Sequence, residues 1–350
     1  MNNPFSKFLP FLSHDIGIDL GTSNTRIYLR GKGIVVQEPS VVAVNQKTGQ
    51  VVAVGTAARE MLGRTPGHLS AARPLVEGVV SDFEATEEML AHFMRRAEGS
   101  KHKLLGARAV IGVPPNITNV ERRAVRDAAQ NAGAREVFII ENPVAAALGI
   151  RLPIREAVGS MIVDIGGGTV DIAVISLGGI VQAKNVRIAG DKLNQDIISY
   201  VRSEFKILIG EKTAESVKIA IGSVMEDGER LEALVRGRDL ITGLPREIIL
   251  TDADVREAIS QSMDVLVEAV REVLETTPPE ILSDIMRSGV MLVGGGALFT
   301  GLGRLLSQWL KVPIVVADDP LTAVVRGTGV LLENLDAHRD LLLEHEEDLA

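Results

Sequence analysis

The chain has 350 residues, enough for two domains that each bury a core of their own. It contains no cysteine, which excludes a disulfide framework, a thiolate metal site and a cysteine nucleophile, and suits a reducing cytosol. Lys and Arg total 37 against 46 Asp and Glu, a formal charge of −9 that argues against a general nucleic-acid binder.

Residues 1–14 form the first distinct segment. Phe5, Phe8, Leu9 and Leu12 fall at i, i+3, i+4 and i+7, one face of a helix, with Ser6 and Lys7 off it. Pro4 suits a first helical position, whereas Pro10 removes a backbone donor and kinks or ends the helix. An interfacial membrane anchor and a leader or strap packed on the domain both fit this pattern. The segment lacks a charged n-region and a small-residue cleavage site, so it does not read as a secretory signal.

A strand then runs from Ile16 through Asp19 into Gly21, Thr22, Ser23 and Asn24, and resumes over Thr25–Leu29. Between about residues 34 and 78, short β-rich runs (Val41–Val44, Val51–Val54) bracket a turn, and a helix starts near Thr56. Phe83–Ala97 is an amphipathic helix. Leu104 and Leu105 follow on a loop, as core residues or as a lipid contact. Ala109–Val113 is a strand. Thr118–Asn131 is a helix with Thr118 and Glu121 spaced as a capping box. The strand Val137–Ile140 ends at Glu141-Asn142-Pro143, and a short helix, Val144–Gly149, follows. Its Ala145, Ala146 and Ala147 permit close approach of two lobes.

The second half opens on Met161-Ile-Val-Asp-Ile-Gly-Gly-Gly-Thr-Val-Asp171. Met161–Val163 read as a buried strand ending at Asp164, and Asp171–Ile175 as its returning partner. Helices are expected over Asp191–Ile209 and Thr213–Ile221. In the latter, Glu215 and Lys218 share a face and read by themselves as a surface ion pair. Leu231–Leu250 reads as strands around Thr242-Gly-Leu-Pro245, and Asp252–Glu275 as a long helix capped by Thr251 or Asp252. The strand Val290–Val293 leads into Gly294, Gly295, Gly296 and Ala297. Helices over Thr300–Trp309 and Leu321–Leu335 follow, with Trp309 as core or interface filler. The tail, Asp336–Ala350, is a charged helix or disordered.

Two Asp-x-Gly hairpins and a third glycine loop suggest two similar lobes facing one nucleotide. Glycines without Cβ atoms let backbone N–H groups close on phosphate. Gly21, Thr22, Ser23 and Asn24, with Gly166, Gly167, Gly168 and Thr169, would serve the β- and γ-phosphates. Gly294–Ala297 would approach the α-phosphate and base. Asp19 and Asp164 would orient a hydrated Mg²⁺. The Gly-x4-Gly-Lys-Ser/Thr string of a P-loop, the HExxH zinc signature and the Gly-x-Ser-x-Gly elbow do not occur. A mean hydropathy of +0.19 fits large apolar subunit contacts or a membrane-facing patch, since no apolar run approaches the ~20 residues of a spanning helix.

These strings, with Arg30-Gly-Lys-Gly-Ile-Val-Val, Glu38-Pro-Ser-Val, Ile111-Gly-Val-Pro, Ala189-Gly-Asp191, Ile209-Gly-Glu-Lys-Thr-Ala-Glu215 and Pro320-Leu-Thr-Ala323, resemble the MreB family of bacterial actins. The resemblance spans roughly residues 15–335. It implies an actin-like α/β fold of two lobes, each a mixed sheet flanked by helices, with ATP and Mg²⁺ in the cleft between them. The expected division is an anchor at 1–14, a first domain at 15–152 with a small insertion at about 34–78, a second at 153–317 with an insertion at about 190–250, and a return to the first over 318–350.

The resemblance further implies ribose and adenine contacts from Gly190, Asp191, Ala214, Glu215, Ser216, Val217 and Lys218. It implies homopolymer filaments and an ATPase coupled to assembly. The place it implies is the inner face of the cytoplasmic membrane, which Phe5, Phe8, Leu9, Leu12, Leu104 and Leu105 would touch. The implied partners are RodZ-like and cell-wall elongation proteins, in the service of rod shape. A small-molecule kinase of the same superfold and a nucleotide-binding scaffold with little hydrolysis are the alternatives. Two positions depart from the family. Asn142 stands where the superfamily orients the attacking water, with Glu141 beside it, and Val170 replaces a hydroxyl. Both point to slow hydrolysis.

Overall fold

The computed structural model describes residues 15–99, 106–226, 228 and 230–343. Alternation along the first strand decides the first layer. In β1 (Asp15–Leu20), Ile16, Ile18 and Leu20 point into an apolar core, and Asp15, Gly17 and Asp19 alternate with them. β2 (Asn24–Leu29) pairs antiparallel to β1, and β3 (Gly33–Pro39) continues the sheet. Gly33–Pro39 thus belongs to this main sheet, not to the inserted segment in which the sequence numbering had placed its start. The insertion is a three-stranded sheet of β4 (Val42–Asn45), β5 (Val51–Val54) and, after α1 (Thr56–Met61), β6 (Leu69–Ala72). A short hairpin of β7 (Leu75–Val76) and β8 (Val79–Val80) precedes α2 (Phe83–Glu98), whose Asp82 N-cap accepts from the Ala85 N–H.

β9 (Arg108–Val113) runs parallel to β1. α3 (Asn119–Asn131) begins with the expected capping box of Thr118 and Glu121. β10 (Glu136–Glu141) pairs parallel to β9, completing the order β10-β9-β1-β2-β3. α4 (Asn142–Gly149) starts at once, with a proline in its first turn.

The second sheet has the order β13-β12-β11-β17-β18. β11 (Ser160–Ile165) and β12 (Val170–Ser176) are the hairpin strands, and β13 (Gly179–Val186) leads into α5 (Gly190–Phe205). The helix was expected to reach Ile209. It stops earlier because Lys206 turns left-handed (φ 57°, ψ 35°) and bonds back to the Val201 carbonyl. β14 (Ile207–Leu208) then joins β15 (Glu232–Asp239) and β16 (Pro245–Thr251) in a small antiparallel sheet, with α6 (Glu211–Ile221) beside it. α7 (Asp252–Glu275) opens with a capping box of Thr251 and Asp254. α8 (Pro279–Ser288) and β17 (Val290–Val293) follow, with β17 parallel to β11. A short 3₁₀ turn, α9 (Leu302–Leu310) and the edge strand β18 (Ile314–Val316) complete this part. Trp309 is 58% exposed, so it is not core filler.

The chain divides into two compact units. The first comprises residues up to Val158, Ile175–Ala183 and the segment from Leu321; the second comprises Gly159–Val174 and Lys184–Pro320. The first unit is closed by α10 (Ala323–Glu333), which lies on β1, β2 and β9 and crosses α4. The partner that the small side chains of α4 meet is therefore α10, in the same unit. A Cβ on Gly327 would lie 1.7 Å from the Ala145 carbonyl oxygen, and one on Gly149 would lie 1.9 Å from that of Ala323.

This crossing generates a stability test. Alanine is worth about 1 kcal/mol over glycine inside a helix, but overpacking costs about 1–3 kcal/mol or more, and here the obstacle is backbone that cannot rotate away. Gly327→Ala is expected to destabilise by about 1–3 kcal/mol, read as a lower urea midpoint. Gly67→Ala, with nothing within 4 Å, should stay within about 0.5 kcal/mol of the parent. Equal midpoints for the two variants would mean that the crossing is not what holds α10.

Candidate functional site

In the first unit the site grows from the β1–β2 turn. A Cβ on Gly21 would sit 2.7 Å from the Asn24 carbonyl oxygen, so only glycine closes this turn. Two neighbours brace it. The Ser40 hydroxyl donates to the Gly21 carbonyl at 2.6 Å, and the Gly78 N–H donates to the Thr22 hydroxyl oxygen at 2.9 Å. The Ser40 N–H also donates to the Ser23 carbonyl at 3.0 Å. Neither Ser40 nor Gly78 was singled out from the sequence as part of the site. Ser40 lies in the Glu38-Pro-Ser-Val string, which is a signal of a kind; Gly78 has none.

Asp19 stands at the end of β1 and is 9% exposed. The register places Arg26 directly opposite, and its Nη1 donates to Asp19 Oδ2 at 3.2 Å. Burial pushes the Asp19 carboxyl up, and the Arg26 guanidinium offsets only part of that.

The adjacent Glu141 and Asn142 diverge. Asn142 opens α4, and a Cβ on Gly112 would lie 2.5 Å from its Oδ1. Gly112 is the β9 residue paired with Asp19. The carboxamide of Asn142 is thus laid across the strand beside the one that carries Asp19. The Glu141 carboxylate instead accepts the Asn116 backbone N–H and is drawn toward Arg122, while burial raises its pKa. The cause of the divergence is the change from strand to helix between the two residues.

In the second unit the β11–β12 turn is closed by the Gly166 N–H, which donates to the Thr169 carbonyl at 2.9 Å. The start of α5 is tied to it. The N–H groups of Gly190 and Asp191 donate to the carbonyls of Gly166 (3.2 Å) and Gly167 (2.8 Å). Lys218 donates from Nζ to the Gly190 carbonyl at 2.8 Å. Lys218 therefore serves the turn, where the sequence alone suggested a surface ion pair with Glu215.

Gly294, at φ +80°, brings its loop onto Asp164, and a Cβ there would meet Asp164 Oδ1 at 2.4 Å. Gly295, Gly296 and Ala297 continue as the 3₁₀ turn. The second unit thus gathers Asp164, Gly166–Gly168, Thr169, Gly190, Asp191, Lys218 and Gly294–Ala297.

Other expected residues lie differently. Ala214 and Val217 are buried on the core face of α6, and Glu215 is half-buried. Ser216 donates to the Lys212 carbonyl and lines a groove of about 340 Å³ against β15, with Thr213, Ala220 and Arg236. Phe5, Phe8, Leu9, Leu12, Leu104 and Leu105 lie outside the described residues. Among the described residues, no group of three or more His, Asp or Glu side chains is set to hold a metal directly.

A family model described as MreB/Mbl protein matches residues 13–340. The cell shape-determining protein Mbl of Bacillus subtilis (strain 168) is 49% identical over 324 residues, covering 93% of this chain and 97% of that protein. The cell shape-determining protein MreB of Escherichia coli (strain K12) is 49% identical over 344 residues, covering 97% and 99% respectively. Crystal structures of MreB5 of Spiroplasma citri, bound to ADP and to AMPPNP, superpose with a TM-score of 0.89 at 37% identity and cover 94% of this chain and 98% of theirs.

The half-buried Glu141 generates a pH test. Its folded pKa lies above the ordinary 4.5 of a glutamate, so the folded chain holds this proton more tightly than the unfolded chain. The associated stability is present below about pH 4.5 and is lost as pH rises through the raised value. Glu141→Gln keeps an acceptor for Asn116 and removes the titration. Its urea midpoint is expected to gain on that of the parent as pH rises from 4.5 toward 7. A difference that stays constant over that range would place the Glu141 carboxyl in water.

Proposed function

The chain belongs to the MreB/Mbl family of bacterial actin-type cell-shape proteins and has their actin-like fold, and on that premise we propose that it binds ATP with Mg²⁺, polymerises, and hydrolyses ATP slowly. The observation that carries the reading is the duplicated device: an aspartate at a strand end beside a glycine turn, once in each unit. The structures of MreB5 with ADP and AMPPNP support it.

The donor set fits the nucleotide. Each turn offers backbone N–H groups where no side chain stands in the way, and Gly294 permits its loop to reach the Asp164 carboxylate. Asp19 and Asp164 offer the hard oxygens that suit hydrated Mg²⁺, which would supply charge neutralisation for the phosphates. Thr22, Ser23 and Thr169 add hydroxyls. Lys218 holds the start of α5 against the Gly166–Gly168 turn through Gly190.

The nearness of Asn142 to Gly112 supports reading it as the residue that would orient a water. It donates and accepts hydrogen bonds but cannot take a proton as a carboxylate does. Glu141 is held by Asn116 on another side. A positioned but unassisted water gives slow turnover and filaments that persist.

The experiment is sedimentation with ATP together with phosphate release. Asp164→Ala is expected to keep the fold and lose ATP-dependent pelleting. Asn142→Glu is expected to raise turnover by roughly tenfold or more, the range of a positioned base. Parent-like pelleting of Asp164→Ala would remove the turn from nucleotide binding. An unchanged rate in Asn142→Glu would remove Asn142 from the reaction.

The i, i+3, i+4, i+7 spacing of Phe5, Phe8, Leu9 and Leu12 in the sequence supports seating of the filament on the membrane. Among the described residues, no helix is long and apolar enough to cross one. One segment binds weakly; many along a filament bind strongly. Deleting residues 2–12 should abolish co-flotation with liposomes and spare pelleting. Flotation that survives the deletion would move the anchor elsewhere, with Leu104 and Leu105 next to test.

A further inference from the structure

Arg26 is only 9% exposed. Cross-strand pairing holds it opposite Asp19, two residues beyond the turn that ends at Asn24. One contact joins the two side chains, Nη1 to Oδ2 at 3.2 Å, and the Arg26 Nε is buried without a hydrogen-bond partner. A guanidinium carries five N–H donors, and a single end-on contact leaves much of that capacity unmatched.

The same sheet shows what a saturated pair looks like. Arg108 grips Asp15 with both prongs, Nε to Oδ1 at 3.0 Å and Nη2 to Oδ2 at 2.6 Å, and Arg30 adds a third bond at 3.0 Å. Asp15 and Asp19 lie on one face of one strand, four residues apart. The structural pair is closed and bidentate; the pair beside the glycine turn is open.

A buried cation with spare donors next to a turn of free N–H groups is suited to a multiply charged anion. Its desolvation accompanies folding, so ligand binding need not supply it again. We propose that Arg26 is a phosphate ligand of the nucleotide site, the residue through which the first unit distinguishes polyphosphate from monophosphate. Asp19 aligns it by taking one N–H, and the remaining donors face the phosphate oxygens. This rests on the nucleotide reading above.

The test is the affinity of the full-length chain for ATP, ADP and AMP, with melting temperature measured in parallel. Arg26→Leu is expected to weaken ATP and ADP roughly tenfold to a hundredfold, the range of a charged hydrogen bond, and to leave AMP within about twofold. Arg26→Lys keeps the charge opposite Asp19 and loses the fork. It should fold as the parent does and lose at least about threefold of the ATP-over-AMP preference, so the proposal stays testable if the leucine variant misfolds. If Arg26 serves only to neutralise Asp19, the variants melt lower and the ATP-to-AMP ratio does not move, which overturns the proposal alone. A parent protein that binds neither ATP nor AMP overturns the nucleotide reading and this proposal with it.

Discussion

The first unit depends on a contact between backbones. Gly327 and Gly149 let α10 and α4 cross with carbonyl oxygens closer than any side chain would allow. The placement of α10 on β1 and β9 follows from that distance. α10 reaches down to β1, where a Cβ on Gly17 would overlap the Thr328 side chain, and to β9, where Val324 comes up to Gly112. α4, held from above, begins with Asn142 against Gly112. Packing of small residues therefore positions a polar side chain.

The second unit positions its site by another means. Its turn is held to α5 by backbone bonds at Gly166 and Gly167, and Lys218 closes the arrangement with a charged bond to a carbonyl. The Gly294 loop is pressed onto Asp164 and Ile165. Here hydrogen bonds between segments distant in sequence do what the helix crossing does in the first unit.

Four carboxylates drawn partly or wholly out of water separate by the completeness of their partners. Burial alone would raise Asp15, but Arg108 and Arg30 outweigh it and its pKa falls. Burial would likewise raise Glu38, and Thr56 with Arg96 reverse that. For Asp19 and Glu141, burial prevails and the pKa rises. The saturated carboxylates tie their strands to neighbouring segments, Asp15 to Arg108 on β9 and Glu38 to Thr56 on α1 and Arg96 on α2. Unsaturated ones lie at the strand ends that carry the candidate site, where perturbed acids collect in proteins that act on ligands.

What the sequence determined by itself is what neighbours in the chain can encode. The two Asp-x-Gly turns, the capping box at Thr118 and the long helix from Asp252 are each written within a few residues and formed where those residues stand, and the structure settles the cap of that helix on Thr251. The early stop of α5 was not legible, because nothing before Lys206 forbids another turn; the strand partner on β15 takes Ile207 and Leu208 instead. Nor was the partner of Lys218, since the helix offers Glu215 at the right spacing and only the fold brings Gly190 closer. The divergence of the Glu141 and Asn142 side chains, the bracing of the turn by Ser40 and Gly78, and the meeting of Arg26 with Asp19 were decided by tertiary structure alone. Each depends on which strand or helix lies across from a residue, and that is set by packing between segments far apart in the chain.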